Sequence, residues 1–274
     1  MESNPVAPVA PYLGGKHRLA IRVVNRLSGI PHDCYVEPFI GMGGIFLRRP
    51  WRSKVEVIND ISGDVVTLFR VLQRHYAAFM DMLKWQLTSR AEFERLNASR
   101  LETLTDLERA ARFLYLQRTA FGGKVVGRSF GTSATSPARF DITKLGSMLE
   151  EVHERLAGVT IERLPFDRLI DAYDRAGTLF YLDPPYWGCE TDYGEGVFSA
   201  DDFTRLADRL AQIKGRFLMS LNDTPEVRQV FSAFRLDPIE VKYSVNGKSQ
   251  SAAAELLISP GGDLNDGLFS GASP

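Results

Sequence analysis

The chain has 274 residues, of which 44% are hydrophobic and 24% charged, so it can form one or two globular domains with a substantial core. Its formal net charge of −1 argues against a histone-like nucleic-acid binder, although an enzyme with a locally basic cleft stays compatible with it. The two cysteines, Cys34 and Cys189, are too few for a disulfide framework, and no signal-peptide core or apolar run of ~20 residues is present. We therefore expect an intracellular, cytoplasmic protein that does not enter a membrane.

Hydrophobic periodicity divides the chain into α/β parts and a long helical part. Residues 16–28 predict a helix, residues 34–36 and 54–58 predict strands, and the pattern from 61 to about 118 is helical. The later predicted elements are strands over 159–161, 178–182 and 217–221, a helix over 199–214, and a final hairpin from 239–245 and 255–258. We predict an α/β, Rossmann-like sheet from residues 1–61 and 157–274, with residues 62–156 as an inserted, mainly helical domain.

The early strands end in residues that suit a nucleoside cofactor. The turn from Glu37 to Gly44 has small residues where a backbone must pass close to a ligand, and Asp60 could bind both hydroxyls of a ribose. After the third strand, Phe166 and Asp167 would supply a flat contact and an acceptor for an adenine ring. The turn is not a dinucleotide fingerprint, because the third glycine of that pattern would fall at Phe46.

The tetrapeptide Asp183-Pro184-Pro185-Tyr186 follows the buried strand pattern directly. Its two prolines donate no backbone hydrogen bond and fix φ, so the chain leaves the sheet stiff and extended. A carboxylate and a carbonyl that accept both hydrogens of an exocyclic base amine would free the nitrogen lone pair for methylation. Tyr186 would stack on the base. The alternative is a strand-ending turn whose Tyr186 packs on the surface.

A locally basic, glycine-rich stretch lies between Arg109 and Lys144, where Asp141 is the single acidic residue. This composition is typical of a loop or hairpin that lies along nucleic-acid phosphates. The alternative is an ordinary surface loop. The candidate DNA-binding residues are Arg112, Arg118, Phe121, Lys124, Arg128 and Arg139.

Two further patterns exclude other chemistries. The segment Gly14-Gly15-Lys16 is not a phosphate loop, because it lacks the upstream glycine and His17 stands where Ser or Thr would bind magnesium. Lys16 could instead reach a carboxylate or a ribose. The four histidines, His17, His32, His75 and His153, show no spacing typical of metal ligands, so we predict no metal.

In their order along the chain, these motifs resemble those of the Dam-like adenine-N6 DNA methyltransferases, in which the target-recognition region precedes the catalytic tetrapeptide. The similar segments are residues 11–16, 37–43, 59–61, 117–123, 183–186, 218–222 and 255–258. The resemblance implies a methyltransferase sheet that binds S-adenosylmethionine and releases S-adenosylhomocysteine. It also implies a flipped adenine in double-stranded DNA as substrate, with a cognate restriction endonuclease as a further partner and a monomer or weak dimer as the expected state.

The resemblance also implies residue roles. Asp183 and Pro184 would polarise the target amine, and Tyr186 would stack on the base. Pro185 is the remaining residue of the catalytic motif. The residues implied in cofactor binding are Tyr12, Lys16, Glu37, Phe39, Gly41, Gly43, Asp60, Phe166, Asp167 and Asp183.

The recognition region departs from the family pattern. The usual aromatic–Arg–Asn pattern and the following Asn-Val-Pro stretch are absent from residues 124–131, which are shortened. Base-edge contacts specify a sequence, whereas phosphate contacts only position the protein. We therefore expect relaxed or altered specificity rather than a strict four-base palindrome.

Three alternatives to this function stay open. An amino methyltransferase acting on RNA or on protein glutamine is disfavoured because Asp183 is typical of adenine chemistry on nucleic acids. A catalytically inactive DNA-binding homologue is disfavoured because the tetrapeptide is intact. A nucleotide-dependent oxidoreductase is disfavoured by Phe46 and by the prolines at 184 and 185.

Overall fold

A computed structural model of the chain describes residues 2–12, 19–131, 135, 137–194, 196–244 and 250–261. The strands are β1 (Cys34–Glu37), β2 (Val55–Asn59), β3 (Thr160–Glu162), β4 (Thr178–Leu182), β5 (Arg216–Asn222), β6 (Arg235–Ser244) and β7 (Gln250–Ser259). The α-helices are α1 (Ala20–Ser28), α2 (Gly63–Arg74), α3 (Tyr76–Leu83), α4 (Arg90–Asn97), α5 (Asp106–Thr119), α6 (Ile142–Arg155), α7 (Phe166–Tyr173), α8 (Ala200–Leu210) and α9 (Pro225–Val230).

Within the described residues the strands form a seven-stranded sheet in the order β3-β2-β1-β4-β5-β7-β6. The first five strands are parallel, and β7 is antiparallel to both β5 and β6. The strand order reverses between β1 and β4, and in open α/β sheets a ligand crevice lies beyond the carboxyl ends of such strands. The predicted Rossmann-like α/β fold is confirmed.

The central strands are buried because helices cover both faces of the sheet. All five residues of β4 are buried, and their side chains alternate between two hydrophobic clusters. Leu179 and Tyr181 face the layer that contains α1, whereas Phe180 and Leu182 face the layer formed by α7 and α8. This alternation fixes which side chains point to each layer and where the strand presents its end.

Helices α2 to α6 pack against the layer that contains α1. Buried side chains of these helices, such as Phe69 and Leu114, belong to the same hydrophobic cluster as Tyr35 of β1. Packing is therefore continuous across the boundary predicted at residue 62. An independently folded domain over 62–156 stays a prediction.

The helix ends show where local sequence decides the structure. The capping box predicted for α8 is present, with Asp202 accepting from both the backbone N–H and the hydroxyl of Ser199 at 2.8 Å. The predicted end of this helix at Lys214 is wrong, because α8 ends at Leu210. The backbone N–H groups of Lys214 and Gly215 instead donate to the Asp174 carboxylate, both at 2.9 Å, which holds this segment in a turn.

No helix in the described part of the chain is long and apolar enough to cross a bilayer.

Candidate active site

A cavity of about 730 Å³ opens at the carboxyl ends of the parallel strands. Glu37 ends β1, Asp60 directly follows β2, and Asp183 directly follows β4; all three line this cavity. Because neighbouring parallel strands end at the same edge of a sheet, carboxylates far apart in the sequence meet here. The cavity lies at the crevice that the strand order predicts.

The turn after β1 packs closely against the N-terminal segment. Gly41 and Gly43 have positive φ angles of 49° and 75°, which favour glycine. A Cβ atom on Gly41 would lie 3.1 Å from the Tyr12 ring, so a larger residue would displace this ring from the cavity wall. Gly43 is similarly confined, because its Cβ would lie 2.9 Å from the Leu47 side chain.

The Asp60 carboxylate joins the two loops that follow β1 and β2. One of its oxygens accepts from the Gly41 N–H at 3.0 Å and the other from the Ser62 N–H at 2.9 Å. Burial raises the pKa of Asp60 to about 6, and these two hydrogen bonds oppose the rise. Each carboxylate oxygen has a second lone pair, so the same group can also accept from ligand hydroxyls.

Glu37 is a buried carboxyl group in the cavity wall. The Tyr35 hydroxyl donates to its Oε1 at 2.5 Å. Burial raises the pKa of Glu37 to about 8, while the Tyr35 hydroxyl and the charge of Arg49 oppose the rise. The raised pKa favours the protonated form of the group, and a cation placed in the cavity would favour its ionised form.

The tetrapeptide leaves β4 and is held by side chains of β5. Ser220 Oγ donates to Asp183 Oδ1 at 3.1 Å. The Asn222 amide accepts from the backbone N–H of Trp187 at 2.9 Å and donates to the Trp187 carbonyl at 3.1 Å. Pro184, Pro185 and Tyr186 line the cavity beside Asp183. The alternative in which Tyr186 only packs on an outer surface is therefore not supported.

Aromatic rings gather at one end of the cavity. Phe39, Phe166 and Phe198 all line it, with ring centroids 5.9 to 6.0 Å apart. Such a cluster can enclose a flat heterocycle. Asp167 is not among the described residues that line the cavity, and its carboxylate instead pairs with Arg205 at 2.8 Å.

The basic stretch folds back on itself beside the cavity. Ala120 and Phe130 form an antiparallel bridge, the Phe121 N–H donates to Ser129 O at 2.8 Å, and Gly131 N–H donates to Thr119 O at 2.8 Å. These bonds close a hairpin over residues 119–131, called the basic hairpin below. The Gln117 amide ties its base to the N-terminal segment by donating to Pro11 O at 3.0 Å.

A sequence model of the D12 class N6 adenine-specific DNA methyltransferases matches residues 12–245, which is most of the chain. The chain belongs to this family. The match confirms the resemblance to the Dam-like enzymes and the methyltransferase interpretation of the fold.

Relatives over nearly the whole length carry corresponding names. The type II methyltransferase M.CviBI of Paramecium bursaria Chlorella virus NC1A is 25% identical over 240 residues, covering 86% of this chain and 90% of that protein. The type II methyltransferase M.MjaIII of Methanocaldococcus jannaschii is 25% identical over 289 residues, covering 92% and 98%. The DNA adenine methylase of Haemophilus influenzae is 23% identical over 265 residues, covering 87% of each.

In this D12-class methyltransferase most of the predicted cofactor residues lie around one cavity. Those that line it are Tyr12, Glu37, Phe39, Gly41, Asp60, Phe166 and Asp183. Gly43 lies in the turn behind the wall. Lys16 lies outside the residues that the structure describes.

Sequence reasoning missed several residues of the cavity wall. Tyr193 lines the cavity with its ring centroid 5.8 Å from that of Tyr12, although it belongs to no motif. Burial and the charges of Asp183 and Asp192 raise its pKa above the usual range for tyrosine. Arg48 also lines the wall, where its guanidinium donates to Gly44 O at 2.6 Å. The signal that could have identified both is proximity in sequence, since each lies within ten residues of a motif.

The predicted DNA-binding residues occupy different environments. Phe121 is 60% exposed, and Lys124 and Arg139 are also exposed on or beside the basic hairpin. Arg118 and Arg128 are half-buried, and Arg118 donates to Val9 O at 2.6 Å. Arg112 is buried and donates to Leu96 O at 2.6 Å near the end of α4, which favours a structural role over the predicted DNA contact.

Among the described residues, no group of three or more His, Cys, Asp or Glu side chains could hold a metal ion. Methyl transfer without a metal stays a prediction.

The raised pKa of Glu37 predicts a pH-dependent stability of the protein without cofactor. Between its ordinary value of 4.5 and about 8, the folded protein retains a proton on Glu37 that the unfolded chain has lost, so the free energy of unfolding falls as pH rises. The Glu37→Gln variant cannot ionise and is expected to gain several degrees in Tm relative to wild type across this interval. Thermal unfolding at a series of pH values measures the difference.

Asp60 titrates in both proteins, so its contribution cancels in this comparison. The exposed Glu226→Gln in α9 is the matched control and should give a pH curve parallel to that of wild type. A parallel curve for Glu37→Gln as well would show that Glu37 titrates normally.

Proposed function

We propose that the cavity binds S-adenosylmethionine and that the enzyme methylates N6 of an adenine flipped out of double-stranded DNA. The observation that carries this proposal is the convergence of Asp183, Glu37 and Asp60 on one cavity beside the tetrapeptide. Membership of an adenine-specific N6 family supports the same target atom. Base flipping follows from the chemistry, since an amine paired inside a duplex cannot reach a pocket at a strand end.

The residues present fit the cofactor that methyltransferases generally use. A volume of about 730 Å³ lies within the range of small-molecule sites. Asp60 would bind the ribose hydroxyls, the cluster of Phe39 and Phe166 would enclose the adenine, and Glu37 would face the cationic amino-acid end. When bound, the cofactor supplies an electrophilic methyl group.

The tetrapeptide would supply the activation of the target amine. The Asp183 carboxylate and the Pro184 carbonyl would each accept one hydrogen of the amine, which shifts its nitrogen toward tetrahedral geometry and makes its lone pair available. Tyr186 would hold the base by stacking. Hydrogen-bond acceptors fixed before the substrate arrives stabilise the transition state without reorganisation during the reaction.

The direct test is to incubate the purified protein with unmodified DNA and S-adenosylmethionine labelled in its methyl group. Digestion to nucleosides should place the label in N6-methyladenine. Label in another nucleoside, or transfer only to RNA or to a protein glutamine, would overturn the proposal. Label nowhere, with DNA still bound, would favour the inactive homologue.

Mapping the methylated adenines tests the specificity. We propose relaxed or altered specificity, because residues 124–131 lack the usual base-reading pattern. A strict GATC pattern would contradict it.

The basic hairpin is proposed to lie along the DNA backbone. Phosphate contacts release condensed counterions, so each one contributes to the salt dependence of binding. Lys124 is exposed on this hairpin, which leaves its ammonium group accessible to a phosphate. Arg128 and Arg139 would add further positive charge, and Phe121 presents an exposed ring to the bases.

Replacing Lys124 with Ala is expected to weaken DNA binding and to reduce the slope of log K against log salt by about 1. Binding isotherms at several salt concentrations measure both quantities. The control is Lys54→Ala, an exposed lysine before β2 at the opposite edge of the sheet. Equal slopes for the two variants would exclude Lys124 from the interface.

The remaining partners follow from the same proposal. Relatives named type II methyltransferases favour a cognate restriction endonuclease as a partner. A monomer or weak dimer that acts inside the cell, where its DNA substrate lies, completes the proposal.

A further inference from the structure

Two buried hydroxyl groups stand behind the Asp183 carboxylate. Ser220 Oγ lies 3.1 Å from Asp183 Oδ1, and Tyr181 Oη lies 2.7 Å from Ser220 Oγ. Ser220 is 0% exposed and Tyr181 2% exposed, so bulk water does not compete for these bonds. The three groups form a chain that runs from the layer containing α1 toward the cavity.

The direction of this chain follows from the number of hydrogens. An ionised carboxylate only accepts hydrogen bonds, and a serine hydroxyl has one hydrogen to donate. Since that hydrogen points to Asp183, the Tyr181 hydroxyl must donate to Ser220 Oγ. Consecutive hydrogen bonds polarise each other, so the bond to Asp183 is stronger than an isolated serine would make.

Strand register explains why these residues meet. β4 and β5 are parallel, with Tyr181 opposite Leu218 and Leu182 opposite Met219. Asp183 follows Tyr181 by two residues and Ser220 follows Leu218 by two, so all share the same face of the sheet. Because the buried alternation of β4 fixes this register, the serine and the carboxylate stay aligned.

We propose that Ser220, supported by Tyr181, is a positioning residue that fixes the plane of the Asp183 carboxylate toward the target amine. This inference rests on the proposed function of Asp183. With Oδ1 held, rotation about the Cβ–Cγ bond is restricted, and the direction of Oδ2 is set as well. A carboxylate that is oriented before the base arrives loses less entropy in the reactive complex.

A second residue of β5 allows this effect to be separated from general support of the loop. Asn222 holds the backbone of Trp187, directly after the tetrapeptide, through its two amide hydrogen bonds. Replacing Ser220 therefore leaves the path of the chain anchored at both ends, by β4 and by Asn222. What changes is the orientation of the carboxylate.

The test is the rate of methyl transfer at saturating DNA and cofactor. Ser220→Ala is expected to lower kcat roughly 10- to 100-fold, while KM for DNA changes less than about threefold. Tyr181→Phe keeps the ring and removes the hydroxyl that donates to Ser220, while the hydrogen bond from Ser220 to Asp183 remains. It should therefore lower kcat in the same sense but by a smaller factor. Ser220→Thr restores a hydroxyl and should recover most of the rate.

The matched control is Thr178→Val, which removes a buried hydroxyl at the other end of β4, where it donates to Tyr173 O at 2.7 Å. This variant should lose stability without losing kcat at temperatures where it is folded. If Ser220→Thr does not fold, the other three variants still test the positioning role. The expected loss of kcat is largest for Ser220→Ala, smaller for Tyr181→Phe and absent for Thr178→Val.

The outcomes separate this inference from the proposed function. If the wild-type protein methylates no adenine, the proposed function itself is contradicted. An active wild type with Ser220→Ala at an unchanged kcat overturns only the positioning role. The same follows if Thr178→Val loses as much kcat as Ser220→Ala, because the effect would then reflect general weakening of β4.

Discussion

Replacing Asp183 with Asn is expected to lower the rate of methyl transfer to DNA by at least about a thousandfold. The amide keeps the size of the side chain and one acceptor oxygen. It removes the negative charge that would strengthen the hydrogen bond accepted from the target amine. The Ser220 hydroxyl can still donate to the remaining oxygen, so the loop should keep its position. Single-turnover transfer of labelled methyl groups measures the effect.

DNA affinity should change less than about threefold in the same variant, because the proposed phosphate contacts lie on the basic hairpin. Asp201→Asn is the control, since this exposed aspartate in the first turn of α8 does not line the cavity. Transfer by Asp183→Asn at a rate close to that of the control would contradict the assigned chemistry. Loss of DNA binding would instead place Asp183 in the DNA interface.

The sheet could be predicted from the sequence because its signals are local. The strands end in abrupt changes of pattern, such as the two prolines after Leu182, and a doubly wound order then brings their ends together. Glu37, Asp60 and Asp183 were identified as strand-end residues, and the structure does bring them to one cavity. Their roles toward a ligand stay predictions.

What the sequence did not reveal depends on contacts between distant segments. Arg112 looks like one more basic residue of the recognition region, but packing of α5 against α4 buries it under a backbone carbonyl. The sequence predicts Ser220 only as a residue of a strand. The register between β4 and β5 is what brings its hydroxyl within hydrogen-bond distance of Asp183. The predicted end of α8 was wrong because the Asp174 carboxylate, about 40 residues earlier, accepts from the backbone of the turn that follows the helix.

A buried cluster of charges connects the helical region to the amino end of β2, away from the end of this strand that lines the cavity. Glu56 of β2 accepts from Arg49, and its carboxylate also accepts from both terminal nitrogens of Arg155 at 2.6 and 3.0 Å. The guanidinium of Arg49 lies 3.5 Å from the Tyr35 ring centroid, and that of Arg155 lies 4.0 Å from the Phe46 ring centroid. One carboxylate thus balances two buried cations from separate parts of the chain.

Replacing Glu56 with Gln is expected to lower the free energy of unfolding by about 3–5 kcal/mol. Both arginine side chains are at most 1% exposed, so they would lose their counter-charge in a place that water cannot reach. Urea unfolding measures the change, with Glu92→Gln as control. Glu92 pairs with Arg95 at the surface, and such exposed pairs contribute at most about 1 kcal/mol.

A double variant decides whether the loss comes from uncompensated charge. Arg155→Met removes one of the two cations, so adding it to Glu56→Gln leaves a smaller unbalanced charge than Glu56→Gln alone. The double variant should therefore lose clearly less stability than the sum of the single losses. Additive losses would mean that the residues act through packing alone, and the cluster would then stabilise the junction of α6 and β2 by shape rather than by charge.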